Sequence, residues 1–353
     1  MLLVRLLIIA VVVVAAPVSS PRDTFKGPSD TIARQVAGLP SSFKWESTGI
    51  LVGPPNDSRK LAALKDPSIV YYEGKYHVFV STVDSGGYNL AYLSFTDFDE
   101  AKDAPLYYLD QSAIGTGYRA APQVFYFEPQ KLWYLVFQNG NAGYSTNKNI
   151  SDPTGWSSIK NFYSSMPSII SEHIGDGYWL DMWVICDAEE CHLFSSDDMG
   201  QLYRSSTSIA DFPNGMSNTV IALSEPNRFD LFEASNVYYI SSGTYLLLVE
   251  CIGSDDARYF RSWTSNAITG PWKSLADSEA NPFARSNNVV FSGEVWTESI
   301  SHGEVVRTNV DQTMTISPCK LRFMYQGLDP AASGDYNSLP WKLGLLTQTN
   351  SAC

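Results

Sequence analysis

The chain repeats one strand-rich pattern five times, and this repeat limits the possible folds more than any other feature of the sequence. The clearest copies are the segments 66–72, 121–127 and 233–239, which read DPSIVYY, APQVFYF and EASNVYY. The segments 181–187 and 302–307 fit the same pattern, because each has a polar or small residue before a run of strand-forming residues. The copies begin 52–69 residues apart, and a repeat of this length indicates an array of similar supersecondary units.

Each copy is followed by a second strand-forming run, and several copies continue into a third run with a Ser/Thr-rich end. Gly and Pro separate the runs, and no segment has a convincing helical period. Short strands in even groups predict an all-β fold, and five such groups predict a five-bladed β-propeller. The segment 43–52 is expected to complete the last blade and so to join the two ends of the chain. A β-sandwich is the structural alternative, but it does not explain five copies in register.

The N-terminus has the pattern of a secretory signal peptide. Arg5 precedes the apolar run 6–16, which is too short to span a bilayer and is followed by Pro and small residues. We therefore expect residues 1–20 to be a signal peptide and residues 21–38 to be a tail or pro-segment. The propeller is expected to occupy residues 39–353 of a secreted, extracellular protein.

The charge balance limits the partners of the chain. Asp and Glu number 37 against 24 Lys and Arg, which gives a formal net charge of −13, and the sequence has no basic tract. Nucleic acid and anionic membranes are therefore not expected to bind. We expect the protein to be a monomer.

Export changes the interpretation of the five cysteines, because an oxidising compartment favours disulfides. Cys186 and Cys191 lie across a predicted hairpin, so a local disulfide is expected there. A bridge between Cys319 and Cys353 would hold the C-terminus. Cys251 is then left as a thiol buried in a strand.

Two N-glycosylation sequons are present, beginning at Asn56 and Asn149. Such motifs are informative only in a secreted chain. The predicted signal peptide therefore makes both asparagines candidate glycan sites.

The repeat predicts a cluster of acidic side chains. The first strand of every propeller blade lines the central channel, so residues at equivalent positions gather around the axis. The residues aligned at the start of the five copies are Asp66, Ala121, Asp181, Glu233 and His302. An acid at a strand start often only caps a turn, but three in one register are harder to explain in that way. Crowded carboxylates repel one another and cost stability, so such a cluster indicates function.

Two kinds of chemistry fit three acids and a histidine: metal binding and hydrolysis of a glycosidic bond. Ca²⁺ needs six to eight oxygen ligands, and the loop that comes nearest to such a set, 195–200, is better interpreted as a hairpin turn. Glycoside hydrolysis needs a base that activates water and an acid that protonates the leaving group, and a third acid can orient the second. Serine hydrolase chemistry is not supported, because the sequence lacks Gly-x-Ser-x-Gly.

Five motifs in a fixed order resemble glycoside hydrolase family 62 from about residue 39 to residue 347. They are KDPS at 65–68, DMWVICD at 181–187, FEAS at 232–235, SHGE at 301–304 and DYNSLPW at 335–341. The resemblance implies a five-bladed propeller that acts as an inverting α-L-arabinofuranosidase and removes arabinofuranosyl side groups from arabinoxylan. It implies that Asp66 is the general base, that Glu233 is the general acid and that Asp181 orients the acid.

The resemblance also implies further roles. His302 is expected near a Ca²⁺ ion that is held largely by water in the central channel, and no organic cofactor is expected. Lys65 and Gln138 match positions that hydrogen-bond the furanose ring. Tyr336 and Asn337 match the site where the xylan backbone crosses the pocket.

Two alternatives remain open at the level of the sequence. A related five-bladed family cleaves β-xylosides or arabinan with the same three acids, and the pocket loops decide between these substrates. A non-catalytic polysaccharide-binding propeller would share the fold, but it would not need a base and an acid that face each other.

Overall fold

Five β-sheets follow one another along the chain and close into a ring. The structure is a computed structural model that describes residues 38–240, 243–351 and 353. In each sheet the main strands are antiparallel neighbours, and the first strand of each sheet contacts the first strands of the sheets on either side. The contacts run from sheet 1 to sheet 5 and from sheet 5 back to sheet 1. The prediction of an all-β, five-bladed propeller is therefore confirmed.

The blades are numbered in chain order, and within each blade the strands run from the centre outwards. Blade 1 has Ala63–Tyr72, Lys75–Asp84, Gly87–Phe95 and Tyr107–Tyr108. Blade 2 has Ala120–Phe127, Leu132–Gln138, Ala142–Asn147 and Lys160–Asn161. Blade 3 has Leu180–Cys186, Glu190–Ser196, Gln201–Ser208 and Ser217–Ser224. Blade 4 has Glu233–Ile240, Thr244–Ile252, Arg258–Ser265 and Lys273–Ser278, with the short edge strands Asn281–Pro282 and Thr315–Ile316.

Blade 5 is completed by the N-terminal strand, as the sequence predicted. Its strands are Ser301–Val305, Arg322–Gly327, Lys342–Gln348 and Trp45–Ser47, with Val289–Phe291 at the edge. Trp45–Ser47 pairs antiparallel with the C-terminal strand of the chain and parallel with Val289–Phe291. The last blade thus contains both ends of the folded chain.

Helices are few and short. The one α-helix in the described residues is Ser168–His173. The 3₁₀ turns are Phe98–Asp103, Leu109–Gln111, Glu128–Gln130, Arg228–Asp230, Ser286–Asn288 and Tyr336–Ser338. Within the described ranges, no helix has the length and apolar character needed to cross a membrane.

Aromatic side chains pack the blades against one another. The pairs Phe79–Trp156, Trp183–Tyr238 and Phe260–Phe323 join neighbouring blades, with ring centroids 5.1–5.5 Å apart in edge-on arrangements. Edge-to-face contact suits the charge distribution of aromatic rings. Aromatic side chains therefore contribute directly to the contacts between blades.

Both predicted disulfides are confirmed. Cys186–Cys191 closes the hairpin between the first two strands of blade 3, and Cys319–Cys353 holds the C-terminus to blade 5. Cys251 is a buried free thiol. The predicted signal peptide, and the predicted tail up to residue 37, lie outside the described residues.

Candidate active site

Every first strand carries a β-bulge close to its start. The pairing with the second strand is interrupted between Lys65 and Ser68, Ala120 and Gln123, Leu180 and Trp183, Glu233 and Asn236, and Ser301 and Gly303. In four blades a non-glycine residue at the bulge has a left-handed backbone, with φ between 50° and 56°: Asp66, Ala121, Asp181 and Ala234. This conformation costs roughly 1–2 kcal/mol per residue and is typical of functional sites.

The bulges correct the predicted alignment of the fourth copy by one residue. In the structure Ala234, and not Glu233, takes the left-handed position that Asp66 and Asp181 occupy. Glu233 therefore corresponds to Lys65, which directly precedes Asp66. Because a bulge sets two adjacent residues opposite one partner residue, both positions can serve the pocket.

A pocket of about 360 Å³ lies at this end of the channel. All eight residues predicted for the site line it: Lys65, Asp66, Gln138, Asp181, Glu233, His302, Tyr336 and Asn337. Three tyrosines that the sequence analysis missed also line it, Tyr88, Tyr118 and Tyr178. The repeat contains no signal for these three, because they lie outside the first strands. The pocket is thus built from all five blades.

The acids and the histidine lie at the bottom of the pocket. His302 Nδ1 is 3.4 Å from Asp66 Oδ1 and 3.8 Å from Asp181 Oδ1. Burial raises the pKa of Asp181 well above its usual range, and the negative charges of Glu233 and Asp66 raise it further. Asp181 Oδ2 accepts a hydrogen bond of 2.7 Å from the amide of Ala234. This bond fixes the position of Asp181 next to Glu233.

Lys65 and Tyr336 form one wall of the pocket. The Lys65 ammonium donates hydrogen bonds to Tyr336 Oη at 2.9 Å and to Tyr88 Oη at 3.2 Å, and it lies over the Tyr336 ring. Burial alone would lower the pKa of Lys65, but Tyr336 and the charge of Asp66 hold it above its usual range. Burial raises the pKa of Tyr336 to about 12. Lys65 is therefore a fixed positive charge beside Asp66.

Gln138 is used mainly by the protein itself. Its Oε1 accepts the amide of Asp181 at 2.8 Å, and its Nε2 donates to Tyr118 Oη. Since an amide nitrogen has two hydrogens, one donor of Gln138 is left for a ligand. Asn337 lies in the 3₁₀ turn Tyr336–Ser338, where its backbone N–H donates to Asp335 Oδ1.

Gln138 belongs to a set of second-strand residues that we call the acceptor ring. Its members lie opposite the bulges and are Ser81, Gln138, Ser196, Glu250 and Gln326. Four of them accept the bulge amide of the next blade, at 2.6–2.8 Å: Ser81 from Ala121, Gln138 from Asp181, Glu250 from His302 and Gln326 from Asp66. At the fifth junction Asp181 accepts the amide of Ala234 instead. The acceptor ring thus ties four of the five bulges to the preceding blade, and Asp181 ties the fifth.

Arg258 and Glu250 are charged residues of the site that the sequence analysis missed. Arg258 Nη1 donates to Glu233 Oε1 at 2.7 Å and to Glu250 Oε1 at 3.0 Å. Burial raises the pKa of Glu250, and Arg258 most strongly opposes this rise. Both residues lie outside the first-strand register, so the repeat could not reveal them.

The channel next to His302 offers polar groups to a cation. A small cavity there is lined by His302, Ser235 and Asn236, among others. Ser235 Oγ and Asn236 Oδ1 are buried and have no hydrogen-bond partner among the described residues. No group of three or more His, Cys, Asp or Glu suited to a metal occurs in the described part of the chain. Asp181 and Glu304 line the same cavity, and these carboxylates together with the neutral donors fit a cation that keeps most of its water ligands.

Three carboxyl groups around one deep pocket of a five-bladed propeller define a glycoside hydrolase. The family model described as glycosyl hydrolase family 62 matches residues 44–347. The chain therefore belongs to this family, and the resemblance noted in the sequence is confirmed.

Similar proteins agree with this assignment. The chain is 42% identical over 317 residues to alpha-L-arabinofuranosidase C of Cellvibrio japonicus (strain Ueda107); the match covers 88% of this chain and 48% of that protein, about half its length. It is 64% identical to the catalytic domain of the Coprinopsis cinerea α-L-arabinofuranosidase of family 62, with a TM-score of 0.89 and coverage of 89% and 100%. A family 62 hydrolase in complex with xylotriose is 58% identical, with a TM-score of 0.86 and coverage of 87% and 98%.

Proposed function

We propose that the protein is an α-L-arabinofuranosidase that removes arabinofuranosyl side groups from arabinoxylan and inverts the anomeric centre. The observation that carries the proposal is the meeting of Asp66, Asp181 and Glu233 in one pocket. At about 360 Å³ the pocket is near the lower end of ligand pockets, which span roughly 300–1,000 Å³. This size suits one sugar residue better than a polysaccharide chain.

In the proposed reaction the three acids divide the work. Asp66 acts as the general base that activates a water, and Glu233 donates a proton to the xylose oxygen as the bond to arabinose breaks. Asp181 is fixed between His302 and the Ala234 amide, so it can orient the acid without reacting itself. Lys65 supplies a fixed positive charge and hydrogen-bond donors at the furanose ring.

Xylan binding is proposed for the rim of the pocket. Tyr336 and Tyr178 are exposed there, at 41% and 72%. Exposed aromatic rings can stack on the faces of xylose residues. A relative of this chain forms a complex with xylotriose, which supports a xylan backbone as the carrier of the side group.

The test is to incubate the protein with wheat arabinoxylan, debranched arabinan and xylo-oligosaccharides and to resolve the products by chromatography. We expect arabinose from arabinoxylan. Xylose or arabino-oligosaccharides as the main products would favour the related β-xylosidase or arabinanase activities. Binding without any product would favour a non-catalytic propeller. Proton NMR of the first product should show β-L-arabinofuranose, whereas the α-anomer would contradict inversion.

A Ca²⁺ ion is proposed in the channel, with His302, Ser235 and Asn236 as its nearest protein groups. When bound, such an ion would offset the charge of the nearby acids. The test is equilibrium dialysis with ⁴⁵Ca²⁺ on the wild-type protein and on the His302→Ala variant. Binding that is equal in both would contradict the assignment.

Secretion and glycosylation are proposed as well. The signal-peptide pattern and the two disulfides support export, since disulfides persist in oxidising compartments. Asn56 and Asn149 are both exposed, as glycan acceptors must be. Mass spectrometry of protein from the culture medium, before and after glycosidase treatment, tests cleavage near residue 20 and both glycan sites. Intact Met1 on exported protein would contradict the signal peptide.

A further inference from the structure

Glu250 is the charged member of the otherwise neutral acceptor ring. At three junctions the bulge amide of the next blade is accepted by Ser81, Gln138 or Gln326. A hydroxyl or a carboxamide oxygen is therefore sufficient for this structural task. At the junction of blades 4 and 5 a carboxylate does the same work, because Glu250 Oε2 accepts the His302 amide at 2.6 Å.

The charge of Glu250 is therefore more than the fold requires. Its side chain is fully buried, and a buried carboxylate costs free energy unless it is paired and hydrogen-bonded. The other carboxylate oxygen, Oε1, accepts from Ser301 Oγ at 2.8 Å and from Arg258 at 3.0 Å. Every partner is a donor, which suits the ionised form.

Arg258 connects this buried charge to the pocket. The same nitrogen that donates to Glu250 donates to Glu233 at 2.7 Å, and the guanidinium lies over the Phe232 ring at 4.7 Å. Glu250, on the second strand of blade 4, pairs with Glu233 on the first strand. Arg258 is on the third strand of the same blade. Glu250, Arg258 and Glu233 thus form one chain of contacts from the interior of blade 4 to the pocket.

We propose that Glu250 is a positioning residue for the general acid and acts through Arg258: it anchors the guanidinium, so that Glu233 stays aimed into the pocket. The inference rests on the proposed function, in which Glu233 is the proton donor. Glu250 has no contact with the sugar in this scheme.

The physical reason is that one guanidinium is shared by two carboxylates. Without the Glu250 carboxylate, the guanidinium loses the buried partner that holds it beside Glu233. A proton donor that is held less firmly is aimed at the leaving oxygen less often, which slows the proton transfer. Protonation of the leaving oxygen becomes slower, whereas the attack of water is unaffected.

The test is Glu250→Gln, assayed on two substrates. A carboxamide can still accept the His302 amide, as Gln138 and Gln326 do at their junctions, so the fold is retained. Arabinoxylan needs protonation of its leaving group, whereas 2,4-dinitrophenyl α-L-arabinofuranoside does not. We expect kcat on arabinoxylan to fall about 10- to 100-fold, a part of the 10²–10⁴-fold that general acid catalysis contributes, and kcat on the aryl substrate to change less than about threefold.

The matched control is Glu304→Gln. Glu304 is also buried and also paired with an arginine, Arg307, but neither lines the pocket. We expect this change to lower stability without altering the ratio of the two kcat values. An equal loss on both substrates in Glu250→Gln, or the same ratio as in the control, would overturn the inference.

A double-mutant cycle covers the case in which Glu250→Gln folds poorly. Arg258→Met removes the link, and the double variant removes a charge pair together. If Glu250 acts through Arg258, the kcat ratio of the double variant equals that of Arg258→Met alone. A further change in the ratio would contradict the inference. Wild-type protein that releases no arabinose from arabinoxylan would contradict the proposed function instead, so the two failures are distinguishable.

Discussion

Two buried Glu–Arg pairs of the molecule end in different places. Arg258 joins Glu250 to Glu233 at the pocket. Arg307 Nε donates to Glu304 Oε1 at 2.7 Å, and its Nη2 donates to the carbonyl oxygen of Val124 in blade 2. The first pair ends on Glu233, the proposed proton donor, and the second ends on the backbone.

The remaining contacts of Glu304 explain what the second pair does. Glu304 Oε2 accepts from Ser68 Oγ at 2.6 Å and from the Ile69 amide at 3.1 Å, both in blade 1. The pair therefore links blade 5 to blades 1 and 2. The same kind of buried ion pair can thus hold the blades together at one place and contact the pocket at another, depending on its third partner.

The largest expected loss of activity is that of the Glu233→Gln variant. We expect release of arabinose from arabinoxylan to fall by about 10²–10⁴-fold or more, because the side chain can no longer donate a proton. The melting temperature should stay near that of the wild type, as Arg258 keeps its partner Glu250. Chromatography and thermal unfolding measure both quantities, and unchanged activity would contradict the role of Glu233.

The two arginines give the next largest contrast. Arg307→Met leaves Glu304 buried without its counter-charge, so the free energy of unfolding should fall by about 3–5 kcal/mol. Arg258→Met leaves Glu250 buried without its counter-charge and should lower stability by a similar amount, but it should also reduce arabinoxylan hydrolysis strongly, because Arg258 contacts Glu233. Chemical denaturation and kcat per folded molecule measure the pair. If Arg307→Met proved the more damaging to activity, the division of the two pairs would be wrong.

A finer contrast lies within the acceptor ring. Ser81→Ala leaves the buried amide of Ala121 without its acceptor and should destabilise the protein by about 1–3 kcal/mol. Ser196 Oγ is buried and has no partner among the described residues, so Ser196→Ala should change stability by less than about 0.5 kcal/mol. Denaturant unfolding of the two variants measures the difference. Equal losses would show that the ring bonds contribute little.

The smallest expected effect is that of chelation. Because the donors near His302 fit a cation held mainly by water, EDTA should lower the melting temperature by only about 1–3 °C. Added Ca²⁺ should restore the melting temperature. A complete loss of folding with EDTA would contradict a water-held ion.

The architecture could be predicted from the sequence because each blade of the propeller corresponds to one copy of the sequence repeat. Five copies and the closing strand follow from strand patterns, and the Cys186–Cys191 disulfide follows from local spacing. The register of the fourth copy was wrong by one residue, because the continuous apolar runs IVYY at 69–72 and VYYI at 237–240 can be aligned at more than one offset. Glu233 was still found, because a bulge brings two adjacent positions to the pocket.

The rest of the site could not be predicted from the repeat. Arg258 and Glu250 lie on the second and third strands of blade 4, where charged residues usually face solvent or neighbouring side chains. Tyr88, Tyr118 and Tyr178 reach the pocket from outside the first strands, so their positions depend on tertiary structure. Only the side-chain contacts in the folded protein show that Arg258 is shared by two acids.

The strand Trp45–Ser47 also determines the order in which the molecule can form. Its antiparallel partner is Lys342–Gln348, so these residues must wait until almost the whole chain has been synthesised. Blades 1 to 4 can form as each leaves the ribosome, because their strands are neighbours in sequence. Contacts between segments so far apart in sequence form slowly. Ring closure is therefore the final event of folding, and the pocket, which needs residues of every blade, exists only after it.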